Sequence, residues 1–159
     1  MLLYLLRHAE AADNYPDAKR PLSPKGRDDT ASLGKLLKRQ GIPLPSLVWC
    51  SPYLRAQETA QILIEEAGSD SEIETHTALT PECSAADLLP ALASANEDLL
   101  IVGHNPHLSI LAGLLIGGPD AIVQYRKCTL ARFERISFYS QVTPARWALD
   151  WFIPPKLFR

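Results

Sequence analysis

Three short apolar runs, each ending abruptly at polar residues, constrain this chain more than any other feature. Leu2-Leu3-Tyr4-Leu5-Leu6 stops at Arg7-His8, Leu47-Val48-Trp49-Cys50 at Ser51-Pro52, and Leu99-Leu100-Ile101-Val102 at Gly103-His104. Periodicity alone leaves a buried helical turn open for such runs, but their length and unbroken character suit strands covered on both faces. That is the condition of a parallel sheet packed between helices. The polar residues then mark loops at strand ends, where α/β proteins place their sites.

The stretches between the runs read as helices. Ser23-Pro24 pairs an N-cap with proline at the first helical position, and Leu33, Leu36 and Leu37 follow at helical spacing until Gly41 and Pro43. A second helix starts near Pro52, holds Ala56, Ala60, Leu63 and Ile64 on one side, and stops at Gly68. A third runs from about Ser84 to Ala95 through Leu88, Leu89 and Leu92, with Pro90 expected to kink or shorten it. A fourth follows Pro106 with Leu108, Leu111, Ala112 and Leu115, ending at Gly117-Gly118. The chain then changes period. Residues Thr129 to Ile136 and Ala145 to Phe152 alternate apolar and polar, as a β-hairpin or paired strands do. Trp147, Trp151 and Phe158 either cover the core, the favoured expectation, or form an interface. The expected architecture is α/β, a three-layer α/β/α sandwich with a mostly parallel central sheet, formed by residues 1–159 as a single domain.

Charge narrows the function. Sixteen Lys and Arg against 18 Asp and Glu leave a formal −2, so no bulk attraction to nucleic acid or to an anionic membrane is expected, and any anion site must be local. The first apolar run is too short for an anchor or signal, and Cys50, Cys83 and Cys128 form no CxxC pair; a cytoplasmic protein with reduced thiols is expected.

Such a local site is visible. His8 and His104 stand at the ends of two strands and can reach one pocket, whereas His76, with no motif around it, reads as a packing residue. Arg7 adjoins His8, Arg20 lies in the loop before the first helix, and Arg55 sits near the start of the second. Guanidinium groups present paired donors to phosphate oxygens, and a helix N-terminus adds N–H groups. His107 lies three residues after His104, but no third ligand accompanies the pair, so no metal is expected. Glu10 and Asp13 read either as tuning groups or as solvated loop charges.

Taken as whole motifs, these segments resemble the histidine phosphatase superfamily, the phosphoglycerate mutase-like proteins. Leu6-Arg7-His8-Ala9-Glu10 is similar to the family's RHG signature, with alanine where many members have glycine. Arg20-Pro21-Leu22-Ser23-Pro24-Lys25-Gly26, Ser51-Pro52-Tyr53-Leu54-Arg55-Ala56-Gln57-Glu58-Thr59-Ala60 and Gly103-His104-Asn105-Pro106 follow in the family's order. The short chain and the RHAEA form look most like the SixA-type phosphohistidine phosphatases. The motifs do not extend into the last third of the chain.

The resemblance implies a phosphoglycerate mutase-like fold and a metal-independent phosphatase without a cofactor. It makes His8 the nucleophile that forms a phosphohistidine intermediate, and assigns Arg7, Arg55 and His104 to phosphate binding and charge stabilisation, with His104 either protonated or a neutral N–H donor. Neighbouring arginines lower the His8 pKa and a bound dianion raises it, so the net sign is open at this level. Arg20 either touches phosphate or holds its loop. Glu82 is either the counterpart of the acid used by ester-cleaving members or a carboxylate ahead of a helix at Ser84.

A chain with little material for a lid favours a phosphorylated protein of the histidine phosphotransfer type as partner, in signalling. The alternatives are a phosphomonoesterase or mutase acting on a small phosphorylated molecule, and a non-catalytic phosphate-binding module.

Overall fold

The structure, a computed structural model, describes residues 1–13, 15–118, 120–136 and 146–158. In chain order the elements are β1 (Leu2–Arg7), α1 (Pro24–Arg39), β2 (Leu47–Cys50), α2 (Leu54–Ala67), β3 (Glu72–Thr75), α3 (Leu89–Ser94), β4 (Leu99–Gly103), α4 (His107–Ile116), β5 (Leu130–Ile136) and β6 (Arg146–Ile153). The six strands form one sheet in the order β3-β2-β4-β1-β5-β6. β3, β2, β4 and β1 are parallel, and β5 and β6 continue the sheet antiparallel.

The apolar runs fill both faces of this sheet by simple alternation. Leu3 and Leu5 of β1, with Leu99 and Ile101 of β4, pack beside Leu92 of α3 and Leu108, Leu111 and Leu115 of α4. Tyr4 and Leu6, with Leu100 and Val102, point the other way, toward Leu33 and Leu37 of α1 and Ala56, Ala60 and Leu63 of α2. The expected three-layer sandwich is the result. Each fully buried leucine here contributes about 1.5–3 kcal/mol. Trp147 belongs to the first core and Trp151 and Phe158 flank the second.

Packing of α1 against its surroundings needs two glycines. A Cβ on Gly26 would lie 2.1 Å from the Glu10 carbonyl oxygen, and one on Gly34 would lie 2.6 Å from Cβ of Glu66 in α2. The first approach matters for the site, because it presses the start of α1 onto the loop after β1. Ser23 caps that start by accepting from the Gly26 N–H, and its own N–H donates to Glu10.

Three details differ from the expectation. β3 is an additional edge strand, paired parallel to β2. The third helix is split into a 3-10 turn, Ala85–Leu88, and α3, shortened as expected to six residues; Pro90 sits in its first turn and starts the α-helical part rather than kinking it. The second helix begins at Leu54, two residues past the expected start near Pro52. The expected strands are present as the antiparallel pair β5 and β6; residues 137–145 between them, Ala145 included, lie outside the described residues. No helix among the described residues is long and apolar enough to cross a membrane.

Candidate active site

Topology brings the two histidines together. β1 and β4 are parallel neighbours in which Arg7 faces Gly103, so the next residues, His8 and His104, leave the same edge of the sheet side by side. Their rings lie 4.9 Å apart between centroids. Ser51 leaves the same edge from β2, and its N–H extends the ladder by donating to Val102. Three adjacent parallel strands thus end in Ser51, His104 and His8.

His8 is 7% exposed. Its Nδ1 lies 2.7 Å from the Ala9 carbonyl, which can only accept, so Nδ1 holds the proton and Nε2 the lone pair. That Nε2 accepts from Nε of Arg55 at 3.3 Å. The Ala9 N–H in turn donates to Thr59 Oγ1 of α2, which ties the loop to the helix. Burial above all, and then the neighbouring His104, Arg55 and Arg7, push the His8 pKa down to about 3. In the site without phosphate the shift is therefore downward, and the ring is neutral at neutral pH.

His104 is 1% exposed, and its Nε2 lies 2.7 Å from Ser51 Oγ. The Tyr53 N–H already donates to that oxygen, so the arrangement satisfying both groups has the serine hydroxyl donating to Nε2 and the proton on His104 Nδ1. Burial first, then the Arg55 charge, lowers the His104 pKa to about 4. Of the two forms expected for His104, the neutral N–H donor fits. Nδ1 is buried without a partner among the described residues, as is Nε of Arg7. Buried donors left unpaired are costly, and their presence beside a polar cavity marks a place built for acceptor oxygens.

Arg55, in the first turn of α2, is 5% exposed and is held by the 3-10 turn Asp17–Lys19. Nη1 donates to the Asp17 carbonyl at 2.6 Å, and Nη1 and Nη2 reach the two carboxylate oxygens at 3.3 and 3.2 Å. Burial pushes the Asp17 carboxyl up, but its hydrogen bonds and charge pairing with Arg55 and Arg20 outweigh that and leave it below its ordinary value. Arg7 donates through Nη1 to the Tyr125 carbonyl, which also receives Nδ2 of Asn105. Arg20 bonds the Ala12 carbonyl and reaches Asp13 at 2.7 Å and Asp17 at 3.5 Å.

A cavity of about 270 Å³ is walled by Arg7, His8, Arg20, Arg55 and His104, with Ala11, Asp17, Pro81, Asn105 and Lys127 completing the wall. Five of the six singled-out residues therefore meet. Glu82 does not line it: exposed, it accepts from the Tyr53 hydroxyl at 3.0 Å. Its own backbone N–H, then Tyr53, hold its carboxyl below the usual range, so it is ionised at neutral pH. His107 begins α4 fully buried; burial lowers its pKa, partly offset by the nearby backbone of Ser84 and Ala78. Its nitrogens meet no partner at full hydrogen-bond geometry. His76 stacks on Trp49 at 4.6 Å, the packing role expected of it.

The sequence reading missed Asp17 and Lys127, and did not single out Ser51 or Asn105, the latter quoted only as part of the Gly103-His104-Asn105-Pro106 motif. Ser51 lay within a quoted motif, so its position was visible and only its bond to His104 was not. Nothing local distinguishes Asp17 or Lys127 from other loop charges.

Comparison with known proteins bears on the fold and the family. Over 94–100% of its length the chain resembles solved structures at low identity. One is that of the protein histidine phosphatase SixA complexed with tungstate, with a TM-score of 0.87 and 22% identity, covering all of both chains. Another is a mycobacterial glucosyl-3-phosphoglycerate phosphatase complexed with VO3, with a TM-score of 0.72 and 18% identity over 96% of this chain and 99% of that one. An uncharacterized protein of Picosynechococcus sp. is 34% identical over 116 residues, 68% of each chain. The profile describing the histidine phosphatase superfamily (branch 1) matches residues 3–89, more than half the chain, and with the motif order and the paired strand-end histidines it establishes that this chain belongs to that superfamily.

Proposed function

We propose that this member is a phosphohistidine phosphatase that removes phosphate from a histidine of a phosphoprotein, residues 1–159 acting as one cytoplasmic domain. The observation that supports it most is His8 itself. Its proton is committed to the Ala9 carbonyl, so Nε2 offers a lone pair at the cavity. The 3.3 Å contact from Arg55 is long enough for an incoming phosphoryl group to replace it.

In this reading Nε2 of His8 attacks phosphorus while the P–N bond to the substrate imidazole breaks, and the departing imidazole takes a proton from solvent. Water then attacks the phosphorus, the P–Nε2 bond returns its electron pair to His8, and inorganic phosphate leaves. Arg7, Arg55 and the Nδ1–H of His104 stabilise the equatorial oxygens, where positioned charge does most of the work in phosphoryl transfer. Arg20 acts as a further wall of the phosphate site. The chemistry needs only imidazole and guanidinium groups.

Glu82 favours a phosphohistidine over an ester. A leaving alkoxide needs a proton donor, and an ionised, outward-lying carboxylate is a poor one, whereas a leaving imidazole is protonated from solvent near neutral pH. The fold likeness to SixA points the same way, and that to the glucosyl-3-phosphoglycerate phosphatase keeps a small phosphorylated metabolite as the second reading. Turnover of a histidine-phosphorylated protein is compared with a panel of sugar and glycerate phosphates. A kcat/KM higher for the phosphoprotein is expected; a preference for any ester would transfer the assignment to the second reading.

A further inference from the structure

Beside the catalytic cavity lies a groove of about 730 Å³ that no step above uses. Phe152, Pro154, Pro155 and Leu157 line it with apolar surface; Lys25, Arg126, Lys127 and Lys156 supply cations, and Glu10 and Gln124 complete it. Lys127 borders both spaces, so the groove opens directly beside the phosphate site. Lys25 is neutralised by Asp29 at 3.0 Å and Glu10 at 3.8 Å. Arg126, Lys127 and Lys156 are exposed and have no ion-pair partner among the described residues. In a chain of net charge −2, three unpaired cations around one concavity are a concentrated positive field.

The groove is also held in register with the chemistry. Residues Arg126 to Thr129 form a turn closed by the Thr129 N–H on the Arg126 carbonyl, with Cys128 at φ 58°. The Cys128 N–H donates to the carbonyls of Arg7 and His8 at 3.0 and 3.2 Å. The turn presenting Arg126 and Lys127 is thus bonded to the backbone of the nucleophile.

We propose that this groove docks an acidic face of the phosphoprotein, next to its phosphohistidine, with Arg126, Lys127 and Lys156 meeting its carboxylates and Leu157, 62% exposed, meeting its apolar surface. This rests on the phosphohistidine reading. Composition favours a protein over a metabolite: the groove pairs apolar surface with exposed cations, the anatomy of a protein interface.

The test uses R126E/K156E, two exposed changes outside the catalytic cavity. Synthetic phosphohistidine peptides with Asp/Glu-rich or Ser/Gly-rich flanks, and free phosphohistidine, serve as substrates at low salt. The wild type is expected to show a KM about tenfold lower for the acidic peptide than for the neutral one. The double variant loses that advantage while its turnover of free phosphohistidine is unchanged. Equal KM values in the wild type, or a preference that survives in the variant, would overturn the proposal. Fluorescence anisotropy with an unphosphorylated Asp/Glu-rich peptide reads the groove without turnover. Binding to wild type and not to the variant supports docking even if the enzyme hydrolyses no phosphohistidine, which would defeat only the functional reading. If the peptide binds neither protein, and the substitutions instead raise KM for a bisphosphorylated sugar, the groove is a metabolite subsite and the proposal fails.

Discussion

The two halves of the sheet do different work. β2, β4 and β1 run parallel and end together, so their next residues, Ser51, His104 and His8, converge where backbone amides already fix their positions. The other half, β5 and β6 with the segments flanking them, is antiparallel and offers exposed cations on an apolar floor. Bond making demands buried groups held to within fractions of an ångström, whereas attraction of a charged partner works through solvent and tolerates mobile side chains. The parallel half therefore holds neutral, desolvated histidines and the antiparallel half holds hydrated lysine and arginine.

The largest test of that division is His8→Ala. If the parallel half supplies the nucleophile, turnover falls by at least about 10⁴-fold and no phosphoryl group is trapped on the protein, with the circular dichroism spectrum retained. Residual trapping of phosphate on the variant would place the nucleophile elsewhere.

Acid separates the halves next. The folded pKa values of His8 and His104 lie at about 3 and about 4, below the ordinary 6.5. Below pH 6.5 the unfolded chain takes up protons on these rings and the folded chain does not, so stability falls as pH falls through that window. From pH 6.5 to about pH 5 each ring removes about 2 kcal/mol. Denaturant unfolding at the two pH values measures the loss, and imidazole NMR should show neither ring titrating there. Titration of His8 near 6.5 would mean that its site is wetter than the fold implies.

Arg55→Ala removes a donor from the cavity and releases Asp17. A fall in kcat of about 100-fold is expected, on the order of 3 kcal/mol, with most of the effect in kcat rather than KM. An equal effect on KM alone would reduce Arg55 to a binding residue. The smallest change belongs to Glu82→Gln, outside the cavity: less than about threefold on phosphohistidine hydrolysis, because imidazole leaves without a dedicated acid. A loss of two orders of magnitude would show that Glu82 donates a proton and would revive the ester reading.

Much of the parallel half was legible beforehand because its signals are local. The runs ending at Arg7-His8 and Gly103-His104 are uninterrupted, and a strand buried on both faces has no other way to satisfy its environment. β3 escaped because Glu72-Ile73-Glu74-Thr75 is a short, largely exposed edge strand with one apolar residue, so its pairing depends on β2 rather than on its own pattern. Pro90 shortens the α-helical part as expected but does not kink it, because a proline suits a first turn, and only packing decided where that part began. Glu82 was left ambiguous for a similar reason: its neighbours in sequence do not reveal that it bonds Tyr53 29 residues away.

The sequence by itself determined the buried strands, the helices between them, the family motifs and the residues placed at strand ends, since each follows from hydrophobic period or from contiguous residue types. Only the tertiary structure decided how those residues act. The neutrality of His8 comes from burial and from His104, 96 positions away, and the grip on Arg55 comes from Asp17 across 38 positions. The pinning of the Lys127 turn to the His8 backbone closes a gap of more than a hundred residues. Desolvation and charge depend on distance in space, which the order of residues along the chain does not record.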